Sequence, residues 1–198
     1  MMKKYSAGMV SHAFWQDEFS QYIDLVNKGL NAEEIKQKSI EDNYFQQISK
    51  RRSENLSRTL RRRIASLDKS YVETYPKLPL SDKKIVNLMS ITKIDDLFSD
   101  FMYETYRDEL IVGDAKLYDY EVEGFFNRKQ QESKQVAGWT DQTIRRLTLT
   151  FKTFIREAGL MKDKGEYDEI IRPFMGYQLE DLMNANKDNK ILAIFLGR

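Results

Sequence analysis

The sequence predicts a mostly α-helical protein, with an N-terminal helix-turn-helix-like helical bundle and a C-terminal helical domain that contains a winged-helix-like β-hairpin. The first observation is that 198 residues include only three prolines and nine glycines, so long segments lack helix-breaking residues. The second is that apolar residues recur every three or four positions within these segments. Two of the prolines fall in residues 71–81, which we expect to link an N-terminal domain, 1–75, to a C-terminal domain, 80–198.

The first two helices are predicted from their N-terminal residues and their apolar faces. Ser11 is a candidate N-cap for a helix over residues 12–27, whose aromatic and aliphatic side chains form one broad face. Asn31 followed by Glu34 has the pattern of a capping box, so a second helix is expected over residues 32–40.

The third helix concentrates positive charge. Between Lys50 and Arg63 the chain has seven basic residues and one acid, a net charge of +6. The whole chain carries only +1, so everything outside this segment sums to −5. Such a concentration favours binding of a polyanion, because neighbouring carboxylates do not cancel the local field.

The spacing of the apolar residues orients this helix. Leu56, Leu60, Ile64 and Leu67 form one stripe. At about 100° per residue, Arg51, Arg58 and Arg62 lie within about 40° of each other on the opposite side and span about 16 Å. Arg61 lies beside them, whereas Arg52 and Arg63 flank the buried side, where they could extend to the surface or pair with acids.

These positions predict a nucleic-acid-binding face. Its candidate residues in the third helix are Arg51, Arg52, Arg58, Arg61 and Arg62. Arginine makes bidentate contacts with phosphate and with guanine edges, which lysine cannot. The alternative is a solvated face whose arginines pair with carboxylates of the fold. The order of helices resembles a helix-turn-helix, but residues 42–49 make a long joint, so an ordinary helical hairpin remains an alternative.

The C-terminal half is expected to begin with a helix capped by Ser81 and another that Thr92 and Asp95 open. A helix over residues 118–134 and one over 141–158, capped by Thr140, come next. The later elements are expected to be a hairpin that turns at Lys164–Gly165, a short helix, and a final helix or strand.

Helix, turn, helix and hairpin follow one another in the order of a winged helix. Arg145, Arg146 and Lys152 are therefore candidates for a second, weaker DNA-binding surface. The hairpin is acidic overall, however, which favours a winged-helix module that contacts protein instead of DNA.

Composition excludes several classes of function. The chain has no cysteine, which excludes disulfides and thiolate metal sites, and its single histidine, His12, makes a catalytic triad improbable. No phosphate-binding glycine motif is found, so we expect no catalytic residues, no metal and no cofactor. The longest apolar run, residues 191–196, is too short to cross a membrane, and residues 1–15 lack the pattern of a secretory signal; a cytoplasmic location is expected.

Several segments together resemble the BrxA family, small accessory proteins of BREX phage-defence systems. They are residues 5–15 (YSAGMVSHAFW), residues 17–45, the arginine-rich helix, and the later pattern REAGLM…IIRPF. The resemblance implies a mostly helical, non-enzymatic protein that binds double-stranded DNA beside a methyltransferase, an ATPase and other BREX components. It brings no catalytic motif.

Three functions follow as expectations. The first is binding of double-stranded DNA through the basic helix. The second is a protein-interaction scaffold, in which this helix docks on an acidic partner subunit. The third is RNA binding, because the fold of the BrxA family is said to be similar to that of a bacterial antitermination factor. The sequence leaves the oligomeric state open.

Overall fold

The computed structural model describes residues 5–198, and it confirms the mostly helical fold. After a 3-10 turn at Gly8–Ser11, the N-terminal part contains α1 (Gln16–Asn27), α2 (Ala32–Glu41), α3 (Lys50–Ala65) and α4 (Lys69–Thr74). The remaining elements are α5 (Leu80–Ile94), α6 (Asp96–Phe101), a π-helical turn (Met102–Tyr106), α7 (Arg107–Ile111), β1 (Lys116–Leu117), α8 (Asp119–Glu132), α9 (Lys134–Ala137), α10 (Asp141–Glu157), β2 (Met161–Asp163), β3 (Asp168–Ile170), α11 (Tyr177–Ala185) and α12 (Asn189–Leu196).

The N-terminal ends of α2 and α10 confirm the capping predictions made for them, and α3 has a cap that was not predicted. The side chain of Asn31 accepts hydrogen bonds from the amides of Glu33 and Glu34, and the Glu34 carboxylate accepts one from the Asn31 amide. This is a complete capping box. Ser49 caps α3 and Thr140 caps α10, each through its hydroxyl oxygen.

The first helix begins later than the sequence predicts. Ser11 ends the 3-10 turn, and α1 starts at Gln16, after Trp15, whose φ of 54° is left-handed. The backbone before Gln16 stays outside the helix because its carbonyl groups accept hydrogen bonds from Arg63, 49 residues further along the chain. Residues 5–15 therefore stay outside the α-helix and contain only the 3-10 turn, and we call them the N-terminal strap.

The strap is fixed at both ends. At its start, the Tyr5 hydroxyl donates a hydrogen bond of 2.7 Å to a carboxylate oxygen of Asp100, and the Lys129 ammonium lies 6.0 Å from the Tyr5 ring centroid. At its other end, the carbonyls of Ala13 and Phe14 accept from Arg63. The strap thus connects α3 with α6 and α8.

Residues 71–81 are not a simple linker. They contain most of α4, a 3-10 turn at Tyr75–Lys77, and the first residues of α5. The N-cap position of α5 is occupied by Pro79, and not by Ser81 as the sequence predicts. The rings of Tyr71 and Tyr75 are buried in the core. Buried apolar residues from both sides of this stretch belong to one cluster. The division into domains 1–75 and 80–198 stays a prediction.

The predicted hairpin is confirmed, and one further strand joins it. β2 and β3 pair antiparallel, with Met161 opposite Ile170, and β1 pairs with the other edge of β3 in the order β1-β3-β2. Two residues are too few to show an alternating pattern, so β1 could not be predicted. The final segment, left open as helix or strand, is the helix α12. The assignment of the hairpin as the wing of a winged helix stays a prediction.

Candidate nucleic-acid interface

The register of α3 is the one that its apolar stripe predicts. Leu56 and Leu60 are fully buried and Ile64 is 7% exposed. The exposed basic side chains of the helix are Lys50, Arg51, Arg52, Arg58, Arg61 and Arg62. The five arginines that the sequence singles out on this helix are therefore all at the surface.

Four of these arginines line one groove between α2 and α3. The groove has a volume of about 930 Å³, and α2 contributes Lys36 to its wall. Its basic lining residues are Lys36, Arg51, Arg52, Arg58 and Arg61, and we call it the arginine groove. Sequence reasoning missed Lys36, because only the packing of α2 on α3 brings this side chain to the same groove.

The positive charge of the groove is scarcely neutralised. Among residues 5–198, none of the exposed arginines of α3 forms an ion pair with a carboxylate. Glu33 pairs with Lys36 at 2.8 Å, and Glu54 is the single acid of α3 that lines the groove. Within the part of the chain that the structure describes, the alternative of arginines paired with carboxylates of the fold finds no support.

Arg63 has a different environment from its neighbours. It is 1% exposed, and its guanidinium donates to the carbonyls of Phe14 at 2.7 Å and Ala13 at 2.9 Å. The guanidinium also lies 5.5 Å from the Trp15 ring centroid and 5.8 Å from that of Phe154. Burial lowers the pKa of Arg63 to about 9, so the group stays charged at neutral pH.

This environment corrects the expectation that Arg63 extends to the surface or pairs with acids. No carboxylate in residues 5–198 forms an ion pair with it. Carbonyl oxygens and aromatic faces compensate the buried charge instead. Arg63 fastens the strap to α3, and it is not available to a ligand.

His12 lies on the strap beside the arginines of α3. Its Nε2 atom is 3.5 Å from the Thr59 hydroxyl oxygen. Burial, together with the charges of Arg63, Arg62 and Arg58, lowers the pKa of His12 from 6.5 to about 4. The ring is therefore neutral at pH 7 and adds no charge to the interface.

We expect His12 to make the fold less stable in mild acid. The unfolded chain binds a proton at this residue near pH 6.5 and the folded chain only near pH 4, so acid favours unfolding within that window. After allowance for solvent screening, the loss between pH 7 and pH 5 is about 1 to 2 kcal/mol. Urea unfolding of the wild type and of His12→Gln at both pH values measures it. Equal pH dependence of the two proteins would contradict this assignment.

The second predicted surface is only partly retained. Lys152 is 7% exposed, and its ammonium pairs with Asp119 at 2.6 Å and with Asp168 at 3.0 Å. Its charge is neutralised by these two carboxylates, which corrects the assignment of Lys152 as a DNA contact. Arg145 and Arg146 are exposed.

Arg145 lines a separate groove of about 650 Å³ between α8 and α10. The carboxylates that share this groove belong to Asp119, Glu123 and Asp141. This groove has no lining residue in common with the arginine groove. The structure therefore does not bring the two predicted surfaces together in one site.

Comparison with known proteins assigns the family. The sequence model of BrxA matches residues 3–187. The chain belongs to the BrxA family. A BREX protein BrxA from Bacillus cereus (strain H3081.97) is 31% identical over 180 residues, which cover 91% of this chain and 90% of that protein. Membership confirms the resemblance drawn from the sequence and, with it, the assignment to BREX phage-defence systems.

A solved structure shares the fold of this BrxA-family chain. The crystal structure of an uncharacterized protein from Magnetospirillum magneticum superimposes with a TM-score of 0.82, covering 99% of this chain and 100% of that one. The two sequences are 14% identical, so the likeness concerns the fold alone.

Two further properties bear on function. Over residues 5–198, no three His, Asp or Glu side chains are grouped so that they could hold a metal ion. Within the same residues, every helix is too short or too polar to cross a bilayer.

Proposed function

We propose that this BrxA-family protein binds double-stranded DNA through the arginine groove, as a cytoplasmic accessory protein of a BREX phage-defence system. The observation that carries the proposal is one groove lined by five basic side chains, Lys36, Arg51, Arg52, Arg58 and Arg61, in which the four arginines have no carboxylate partner among residues 5–198. Buried basic side chains elsewhere, such as Lys129 and Lys152, are paired with carboxylates.

Arginines without a carboxylate partner are suited to binding the phosphate groups of DNA. Each phosphate contact releases condensed counterions, and a guanidinium donates two parallel hydrogen bonds to phosphate oxygens. The aligned arginines of α3 span about 16 Å, enough to follow several phosphates of one duplex. Contacts of this kind supply affinity with little dependence on sequence.

Arg145 and Arg146 would form a second, weaker contact, because carboxylates share the groove beside Arg145. Lys152 takes no part in it. A methyltransferase and an ATPase of the BREX system would act beside the protein, as the family resemblance implies.

A salt titration tests the proposal. We expect Arg51→Ala, Arg58→Ala and Arg61→Ala, combined in one variant, to lower duplex affinity about 100-fold near 0.1 M salt and to reduce the salt slope by about one unit per lost contact. The matched control removes three exposed positive charges outside the groove, at Lys28, Lys77 and Lys134. Its slope should stay close to that of the wild type.

The outcomes separate the three candidate functions. An unchanged slope in the arginine variant would exclude this surface. A wild-type protein that binds no duplex at physiological salt would exclude the function and favour a protein-interaction scaffold. A structured RNA that displaces duplex DNA at equal concentration would favour RNA binding.

A further inference from the structure

Arg58 differs from the other exposed arginines of α3 in one contact. Its Nη2 atom donates a hydrogen bond of 2.9 Å to the side-chain oxygen of Asn55, three residues earlier. Among residues 5–198, no such side-chain partner holds the guanidinium groups of the other four, which are Arg51, Arg52, Arg61 and Arg62.

This contact restricts the guanidinium of Arg58. Asn55 is half-buried and lines the arginine groove, and its side-chain nitrogen has no hydrogen-bond partner within the described chain. A fixed, planar fork of donors suits a partner with two acceptors at a fixed spacing, and both a phosphate and a guanine edge provide such acceptors. The position of the side chain on the helix selects between them.

The position of Arg58 also favours a base edge. It lies between Arg51 and Arg62 on the aligned face, about 10 Å from the first and about 6 Å from the second along the helix axis. When the outer arginines lie on phosphates, the central side chain faces the floor of the groove between the two strands. In the major groove, O6 and N7 of guanine are the two acceptors that arginine contacts most often.

We propose that Arg58, held in place by Asn55, reads a guanine edge in the major groove, so that the protein prefers duplexes that contain G·C pairs. The inference rests on the proposed function, since it assumes that α3 meets DNA. It adds to that function a residue that determines specificity.

The experiment compares two duplexes of equal length, one of A·T pairs only and one that contains G·C pairs. We expect the wild type to prefer the second about tenfold, the discrimination typical of one bidentate contact. Arg58→Lys should abolish the preference and leave the salt slope unchanged, because lysine retains the charge. Asn55→Ala should weaken the preference in the same way. The matched control, Arg128→Lys, changes an exposed arginine outside the arginine groove and should retain both the preference and the slope.

A change in the DNA gives a readout that is independent of protein stability. Replacing guanine by 7-deazaguanine removes the N7 acceptor, and the wild type should then lose its preference. Equal affinity of the wild type for both duplexes, or a preference that survives Arg58→Lys, would overturn the inference while leaving DNA binding intact. A wild-type protein that binds neither duplex would overturn the proposed function as well.

Discussion

Replacement of Arg63 by alanine is expected to lower the free energy of unfolding by about 4 kcal/mol. The side chain is almost fully buried between the strap, α3 and the rings of Trp15 and Phe154. Its removal leaves a cavity, the carbonyl of Ala13 loses its donor, and the carbonyl of Phe14 keeps only the side-chain amide of Asn87, at 3.0 Å. Both effects are unfavourable, because buried acceptors without partners and unfilled volume each destabilise a fold.

Two comparisons isolate the cause. Arg62→Ala, one position earlier and exposed, should change the unfolding free energy by less than about 0.5 kcal/mol. Arg63→Met fills most of the volume and removes a costly buried charge, so its loss should be about half that of alanine. Urea unfolding followed by circular dichroism measures all three. An alanine variant as stable as Arg62→Ala would show that Arg63 does not fasten the strap.

Replacement of Asp168 by alanine is expected to cost about 3 kcal/mol of unfolding free energy, the size of effect seen when one partner of a buried ion pair is removed. Asp168 is 3% exposed in β3, and its carboxylate pairs with Lys152 at 3.0 Å and accepts from Nε of Arg156 at 3.0 Å. Without it, the buried ammonium of Lys152 keeps only Asp119, whose side chain is 87% exposed.

Asp163 provides the matched control. It also pairs with Arg156, at 3.3 Å, but its side chain is 60% exposed. Its carboxylate also accepts a hydrogen bond of 2.8 Å from the Gly165 amide in the hairpin turn, so Asp163→Ala should cost about 1 kcal/mol, well below the loss expected for Asp168→Ala. Thermal unfolding of the two variants under identical conditions makes the comparison, and equal losses would refute the role assigned to Asp168.

The exposed face of α3 could be predicted because one helix sets its own register. Leu56 and Leu60 fix the buried side, and the exposed arginines follow from a rotation of about 100° per residue. The same projection puts Arg63 about 20° from Leu56, on the buried stripe. Its burial was therefore implied by the spacing, and the expectation of a surface position came from its charge alone.

Other features depend on contacts that no local pattern contains. Lys152 is neutralised by Asp119 and Asp168, which lie 33 and 16 residues away in the chain. α1 begins later than predicted because backbone carbonyls before Gln16 accept hydrogen bonds from Arg63. Lys36 reaches the arginine groove only through the packing of α2 on α3. Each of these needs a tertiary contact, which periodicity and capping signals do not specify.

The strap also constrains how the chain folds while the ribosome makes it. Tyr5 is made early, yet its partner Asp100 is 95 residues further along, and Lys129 follows later still. Closing so long a loop is slow compared with forming a local helix. The basic helix α3 will thus leave the ribosome before the strap has docked at both ends.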